Sequence, residues 1–136
     1  MIVADTNLLA YLLLPGVGTD SAEAVWSTDS EWHAPLLWRS ELRNVLALQM
    51  RMRGLGRKEA VLVAREARRL MRGREHQVDD GHVLRLTGDT DRSAYDCEFA
   101  ALAEALAVPL VTADRRLAAA FPGLASTPEA FTGEPG

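Results

Sequence analysis

Short apolar runs alternate with stretches of helical spacing along the whole chain. Ile2-Val3-Ala4 is apolar, β-branched at two positions and too short for a helix. It fits a strand buried on both faces of a parallel sheet. Asp5 ends the run, and residues 8–12 continue as a helix. A loop at 15–19 follows, then a short helix through Trp26 opened by Asp20 or Ser21. Residues 31–35 read as a second strand that stops at a proline, and 36–52 as a helix ended by Gly54 and Gly56. Residues 57–72 form another helix. A weak third strand at 75–78 is closed by Asp79-Asp80-Gly81, which opens a helix through Leu86. Gly88-Asp89-Thr90-Asp91 reads as a loop. Ser93 and Asp96 have capping-box spacing for a strong helix through Leu106, whose buried stripe is Tyr95, Phe99, Leu102 and Leu106. The fourth strand covers 108–113 and ends at Asp114, before a helix at 115–120 that Phe121-Pro122-Gly123 stops. Residues 124–126 offer a short edge strand, and a mobile tail is expected over 132–136.

Alternating strands and helices imply a parallel α/β sheet with right-handed crossovers. At 136 residues the chain suits one domain, assigned to 1–131. No apolar run approaches the ~20 residues of a membrane span. The first residues lack a basic segment and an apolar signal core, so a cytoplasmic protein is expected. One cysteine, Cys97, excludes an internal disulfide and a cysteine-based zinc site, and reads as a small buried side chain.

A net charge of -4 does not point to a general nucleic-acid binder. The basic residues, however, are arginines apart from Lys58, and they concentrate between Arg39 and Arg74. Arginine forks suit phosphate. On the 57–72 helix, Arg65, Arg68, Arg69 and Arg72 lie opposite the apolar side. This face reads either as a solvated surface with ion pairs or as a surface for RNA or an acidic partner. His33 is an isolated, weak metal candidate, and His76 and His82 have no metal-like spacing.

The candidate chemistry lies in the acids. Asp5 and Asp114 each end an apolar strand before a helix; Asp5 taken alone reads equally as a site carboxylate or, like Thr6, as a cap of the following helix, and Asp114 repeats the pattern. In a parallel sheet the strands present their carboxyl ends on one edge, where Asp5 and Asp114 meet if the first and fourth strands are neighbours. Glu41, on a helix face bordering the core, and Asp96 can lean over the same edge. Four clustered carboxylates repel unless protonated or bound to cations. An oxygen-only donor set favours magnesium or manganese. Such a site suits phosphodiester hydrolysis, since a bound divalent metal lowers the pKa of water. Thr6, Asn7 and Thr112 can hold waters or carboxylates beside the acids, or serve as caps and strand-end bonds.

Asp5-Thr6-Asn7, Ser40-Glu41-Leu42-Arg43-Asn44, Ser93-Ala94-Tyr95-Asp96 and Leu110-Val111-Thr112-Ala113-Asp114 resemble, in this order, the blocks of a PIN domain. The size is similar to that of VapC-type toxin ribonucleases. The resemblance implies a three-layer α/β/α sandwich with a central parallel sheet of order 3-2-1-4-5. It implies magnesium- or manganese-dependent RNA cleavage by Asp5, Glu41, Asp96 and Asp114, and a homodimer inhibited by a VapB-type antitoxin. In such a pair an antitoxin arginine can reach into the acidic pocket. Arg39, Arg43, Arg92 and Arg115 adjoin the four acids and are candidate RNA contacts. Two other readings stand beside this one. A haloacid-dehalogenase-like phosphatase would use Asp5 as nucleophile, with Lys58 and Asp114 in support, but carries Asn7 where a second aspartate is needed. A non-catalytic interaction domain would keep the pocket without the chemistry.

Overall fold

A computed structural model describes residues 1–133. Its strands are β1 (Ile2–Ala4), β2 (Trp32–Pro35), β3 (Glu75–His76), β4 (Leu110–Val111) and β5 (Ala125–Ser126). The helices are α1 (Thr6–Leu13), α2 (Thr19–Thr28), α3 (Trp38–Arg53), α4 (Arg57–Leu70), α5 (Asp80–Asp89), α6 (Ala94–Leu106), α7 (Arg115–Ala120) and α8 (Pro128–Thr132). All five strands join one sheet of order β3-β2-β1-β4-β5 and every pairing is parallel, as the resemblance implies. Helices flank the sheet, completing the sandwich. Val3 pairs with His33 on one side and with Leu110 on the other, so β1 is central. Ile2, Val3 and Ala4 are all buried, which explains the unbroken apolar run. Among the described residues no helix is long and apolar enough to cross a membrane.

The helices differ from the sequence pattern chiefly at their ends. Neither Asp20 nor Ser21 caps α2. The helix starts at Thr19 behind Gly18, where a Cβ would overlap the Tyr11 ring. The loop expected at 88–91 is partly helical, because α5 runs to Asp89 with Gly88 inside it. Thr87 and Thr90 hydroxyls donate to the carbonyls of Val83 and Leu86 there, and α5 lies along α6. β4 begins after Pro109, which has no N–H for the ladder. α8 has no apolar periodicity to announce it. It is set by Thr127, whose hydroxyl accepts from the Ala130 N–H, and by Pro128 in its first turn. Thr132 closes α8 and Gly133 caps it, so the expected tail lies outside the described residues from 134 onward.

The buried stripe of α6 starts later than its spacing predicts. Tyr95 is 63% exposed, whereas Phe99 and Leu102 are buried as expected. α6 packs on β1, β2 and β4, and its buried residues begin at Cys97. The first turn therefore overhangs the sheet edge and carries Tyr95 out of the core.

The edge strand β3 is only two residues long and is held by side chains. The Glu75 carboxylate accepts from Arg39 Nε at 2.5 Å and Nη2 at 2.6 Å, and from the Trp38 indole N–H at 2.8 Å. The Arg39 fork holds the Glu75 carboxyl below its usual range. A depressed acid contributes stability above its unfolded pKa and loses it as pH falls through the folded one. Glu75→Ala is expected to cost about 1–3 kcal/mol at pH 7, with the difference from wild type shrinking toward pH 3. Urea unfolding at the two pH values checks this. A neutral-pH cost no larger than the acid one would show that the knot does not hold β3.

Candidate active site

The chain rule for a parallel sheet puts the carboxyl ends of β1 and β4 side by side, and Asp5 and Asp114 follow them. The Asp5 N–H donates to the Val111 carbonyl at 3.1 Å, extending the ladder up to the acid itself. Asp5 caps α1 and also lines the acidic pocket. Its Oδ1 accepts from the Thr6 N–H at 2.7 Å, and its Oδ2 accepts from the Thr112 hydroxyl at 2.7 Å. Burial pushes the Asp5 carboxyl up, the two bonds oppose the rise, and the charges of Asp96 and Asp114 add to it.

Thr112 is fully buried and joins two acids. It donates to Asp5 and accepts from the Asp114 N–H at 3.0 Å. Asp114 in turn caps α7, with Oδ1 accepting from the N–H groups of Arg116 and Leu117. Thr6 works likewise on the other flank, donating its hydroxyl to Glu41 Oε1 at 2.7 Å. Burial raises the Glu41 carboxyl, the Thr6 bond opposes this, and Asp5, Asp96 and Glu98 repel it. Asp96 sits one turn into α6. The Ser93 hydroxyl accepts from the Asp96 N–H at 3.1 Å, but the carboxylate returns no bond, so only half of the capping box forms. Burial and the Asp114 charge raise the Asp96 carboxyl, and Arg92 opposes them.

Asp5, Glu41, Asp96 and Asp114 thus line one pocket of about 490 Å³, together with Thr6 and Asn7. The sequence did not single out Glu98, whose charge reaches Glu41 and whose carboxyl is itself raised by burial. Its position two residues after Asp96 carries no periodic signal. Among the described residues, no three of His, Cys, Asp and Glu stand close enough together to grip a metal ion as they are. The donor set nevertheless fits a hard divalent cation. It is all oxygen, three of its acids are pushed toward protonation, and among the described residues Glu41 Oε2, Asp114 Oδ2 and both Asp96 oxygens accept no hydrogen bond. Coordination at 2.0–2.6 Å asks these carboxylates to close in.

The basic candidates separate. Arg92 is the one of the four coupled to the acids: it donates to Asp91 at 3.1 Å and stands 4.0 Å from Asp96, feeling Asp114 as well. Arg39 is spent on Glu75, facing α4 instead of the pocket. Arg43 donates to Ser40 and lines the trough between α3 and α4, and exposed Arg115 lines a cleft that meets the acidic pocket at Asn7. That trough, about 380 Å³, is floored by Trp38, Leu42, Leu46, Ala60 and Ala64. It adjoins an arginine-walled cleft formed by Arg39, Arg65, Arg68, Arg69 and Arg72. Lys58 lies in the first turn of α4, outside the acidic pocket, which leaves Asp5 without the phosphatase's lysine. His33 is occupied by His76 at 2.8 Å and Glu31 at 2.9 Å, and His82 by Glu104 at 2.6 Å. Cys97 is buried and free of disulfide, as expected.

Known proteins bear on this geometry in three ways. No curated protein matches the chain. In fold it is similar to PAE2754 from Pyrobaculum aerophilum, with a TM-score of 0.71 and 22% identity over 97% of this chain and 93% of that one. It is also similar to FitAcB from Neisseria gonorrhoeae, with a TM-score of 0.74 and 20% identity over 94% and 98% of the two chains. A structure of FitAB bound to an IR36 DNA fragment gives a TM-score of 0.70 and 21% identity over 94% and 95%. The family model of the PIN domain matches residues 2–121, spanning every strand but β5 and all four acids. This chain belongs to the PIN domain family.

Proposed function

We propose that this chain is a divalent-metal-dependent endoribonuclease that hydrolyses RNA phosphodiester bonds. The observation that carries this is the meeting of Asp5, Glu41, Asp96 and Asp114, from four separate elements, in one pocket. Membership of a family whose domains are generally nucleases supports it. Magnesium or manganese, one ion or two, would be held by the four carboxylates and would supply an acidified water and charge neutralisation. The chain's own residues do the positioning. Thr112 fixes Asp5 relative to Asp114, Thr6 fixes Glu41, Asn7 can hold a water at the rim, and Arg92 relieves part of the negative charge.

The same reading extends to the toxin of a toxin–antitoxin pair, acting as a homodimer and inhibited by a VapB-type antitoxin. Its support is the family and the likeness in fold to FitAcB and FitAB, the latter seen on a DNA fragment. An acidic pocket with Arg92 as its nearest cation is a natural seat for an incoming arginine.

The test is single-stranded RNA incubated with purified protein in manganese, in magnesium and in EDTA. Cleavage is expected with metal and none with chelator. Cleavage that persists in EDTA overturns the metal-dependent reading. Melting gives a separate check. A cation at about ten times its Kd should stabilise the fold by ~1.4 kcal/mol, raising Tm by about 4 °C. A rise in Tm without cleavage would favour the non-catalytic interaction domain.

A further inference from the structure

We propose that the outer wall of the acidic pocket is a nucleobase subsite, in which Tyr95 and Leu48 take the face of an unpaired RNA base and Asn44 reads its edge. The proposal rests on the ribonuclease reading and names part of its substrate: a single-stranded stretch with a base splayed out beside the cleaved bond.

The placement follows from two helices. On α3, Glu41, Asn44 and Leu48 are spaced three and four residues apart and so share one face. Glu41 points inward to Thr6, and Asn44 and Leu48 continue outward along the same pocket. Across from them the overhanging first turn of α6 carries Tyr95 next to Asp96. Tyr95 is the most exposed aromatic residue among the described residues, at 63%, and Leu48 is 48% exposed. Among the described residues the Tyr95 hydroxyl and the Asn44 amide make no hydrogen bond, and the exposed Tyr95 ring and the Asn44 amide both line the pocket.

Tyr95 presents an exposed ring on the wall of the same pocket as the four carboxylates. Nothing in the acids' own chemistry needs it. A base supplies the missing partner: aromatic stacking is tolerant of sequence, and an amide offers both donors and an acceptor to a base edge. In duplex RNA the bases stay stacked and their faces hidden, so the subsite selects unpaired RNA.

The experiment measures binding of a short fluorescein-labelled single-stranded RNA by anisotropy in calcium, a hard divalent cation suited to the same carboxylates, and KM and kcat for the same RNA in manganese. Tyr95→Ala is expected to weaken binding about 5- to 150-fold, the range for loss of one stacked base. KM should rise by a similar factor while kcat changes little. Tyr95→Phe should bind like wild type, because the ring face is kept, and Leu48→Ser should weaken binding in the same direction. An abasic site is then walked along the RNA. At one position its removal of a base should cost wild type what Tyr95→Ala costs, and cost Tyr95→Ala nothing further. The proposal is overturned if Tyr95→Ala leaves both Kd and KM unchanged. It is equally overturned if the abasic and Tyr95→Ala losses multiply at every position, or if Tyr95→Phe behaves like Tyr95→Ala. Base-dependent binding without any cleavage would strike the ribonuclease reading and leave the subsite standing. Cleavage without base dependence would do the reverse.

Discussion

Asp96→Asn is expected to lose at least about 100-fold in RNA cleavage, since disturbing a mere supporting partner of a metal ligand costs 10–100-fold. The same substitution should stabilise the metal-free fold. Burial and the Asp114 charge raise the Asp96 carboxyl above its ordinary 3.8, against the pull of Arg92. An acid raised in this way favours the folded state while protonated. That contribution is fully present below the unfolded pKa and is lost as pH rises through the folded one. At neutral pH the ionised Asp96 therefore works against folding, and a neutral amide of the same shape relieves it. No helix cap is lost, because Ser93 bonds the backbone N–H of residue 96 and not its carboxylate. In EDTA at pH 7.5 the variant should melt above wild type by about 2 °C, an effect of about 0.5 kcal/mol. By pH 3.5 the two should coincide. In saturating manganese the order should reverse, because wild type gains a bound cation and the variant does not. Scanning calorimetry in the four conditions, beside a cleavage assay, reads all of this. Cleavage within tenfold of wild type would remove Asp96 from the site, and unchanged order of Tm in manganese would remove the metal from it.

The parts of this architecture that were legible in the sequence are those written by local patterns. Ile2–Ala4 had to be a buried strand because three successive apolar residues suit a position between two neighbours, and it lies between β2 and β4. Asp5 and Asp114 were legible as strand-end acids for the same reason. What escaped was non-local. Thr6 bonding Glu41 spans 35 residues, and Thr112 bonding Asp5 spans 107. The sequence could mark these hydroxyls as neighbours of acids but could not say which acid each would hold. Arg39 adjoins Glu41 closely enough in sequence to look like a substrate contact. One hundred degrees of helix rotation per residue instead turns it toward Glu75 and α4. Tyr95 fits the apolar stripe of α6 by spacing, yet the stripe outruns the sheet by one turn, and spacing carries no information about where a neighbour ends.

Thr112→Val should be the most damaging isosteric change in the site. The substitution keeps volume and β-branching at the end of β4 and removes one hydroxyl. That hydroxyl is the partner of the buried Asp5 Oδ2 and the acceptor for the Asp114 N–H. A buried group stripped of its partner costs about 1–3 kcal/mol, toward the upper end where the group is charged, so Tm should fall by about 8 °C near neutral pH. The pH dependence identifies the cause. Burial already raises the Asp5 carboxyl, and the Thr112 bond is the largest influence holding it down. Without that bond the folded-state pKa climbs further, so the penalty of ionising Asp5 is present above that pKa and fades as pH falls below it. The destabilisation by Thr112→Val should accordingly be greatest at pH 8 and much smaller at pH 4. Thr112→Ser, which keeps the hydroxyl, should recover most of the stability at pH 8 despite losing a buried methyl group. On the proposed metal-dependent ribonuclease reading, cleavage by Thr112→Val should drop about 10- to 100-fold, the cost of removing the bond that orients a metal ligand. The measurement is chemical denaturation of the three proteins across this pH range. Equal stability of the Val and Ser variants at pH 8 would show that the Thr112 hydroxyl does not hold the two acids in place.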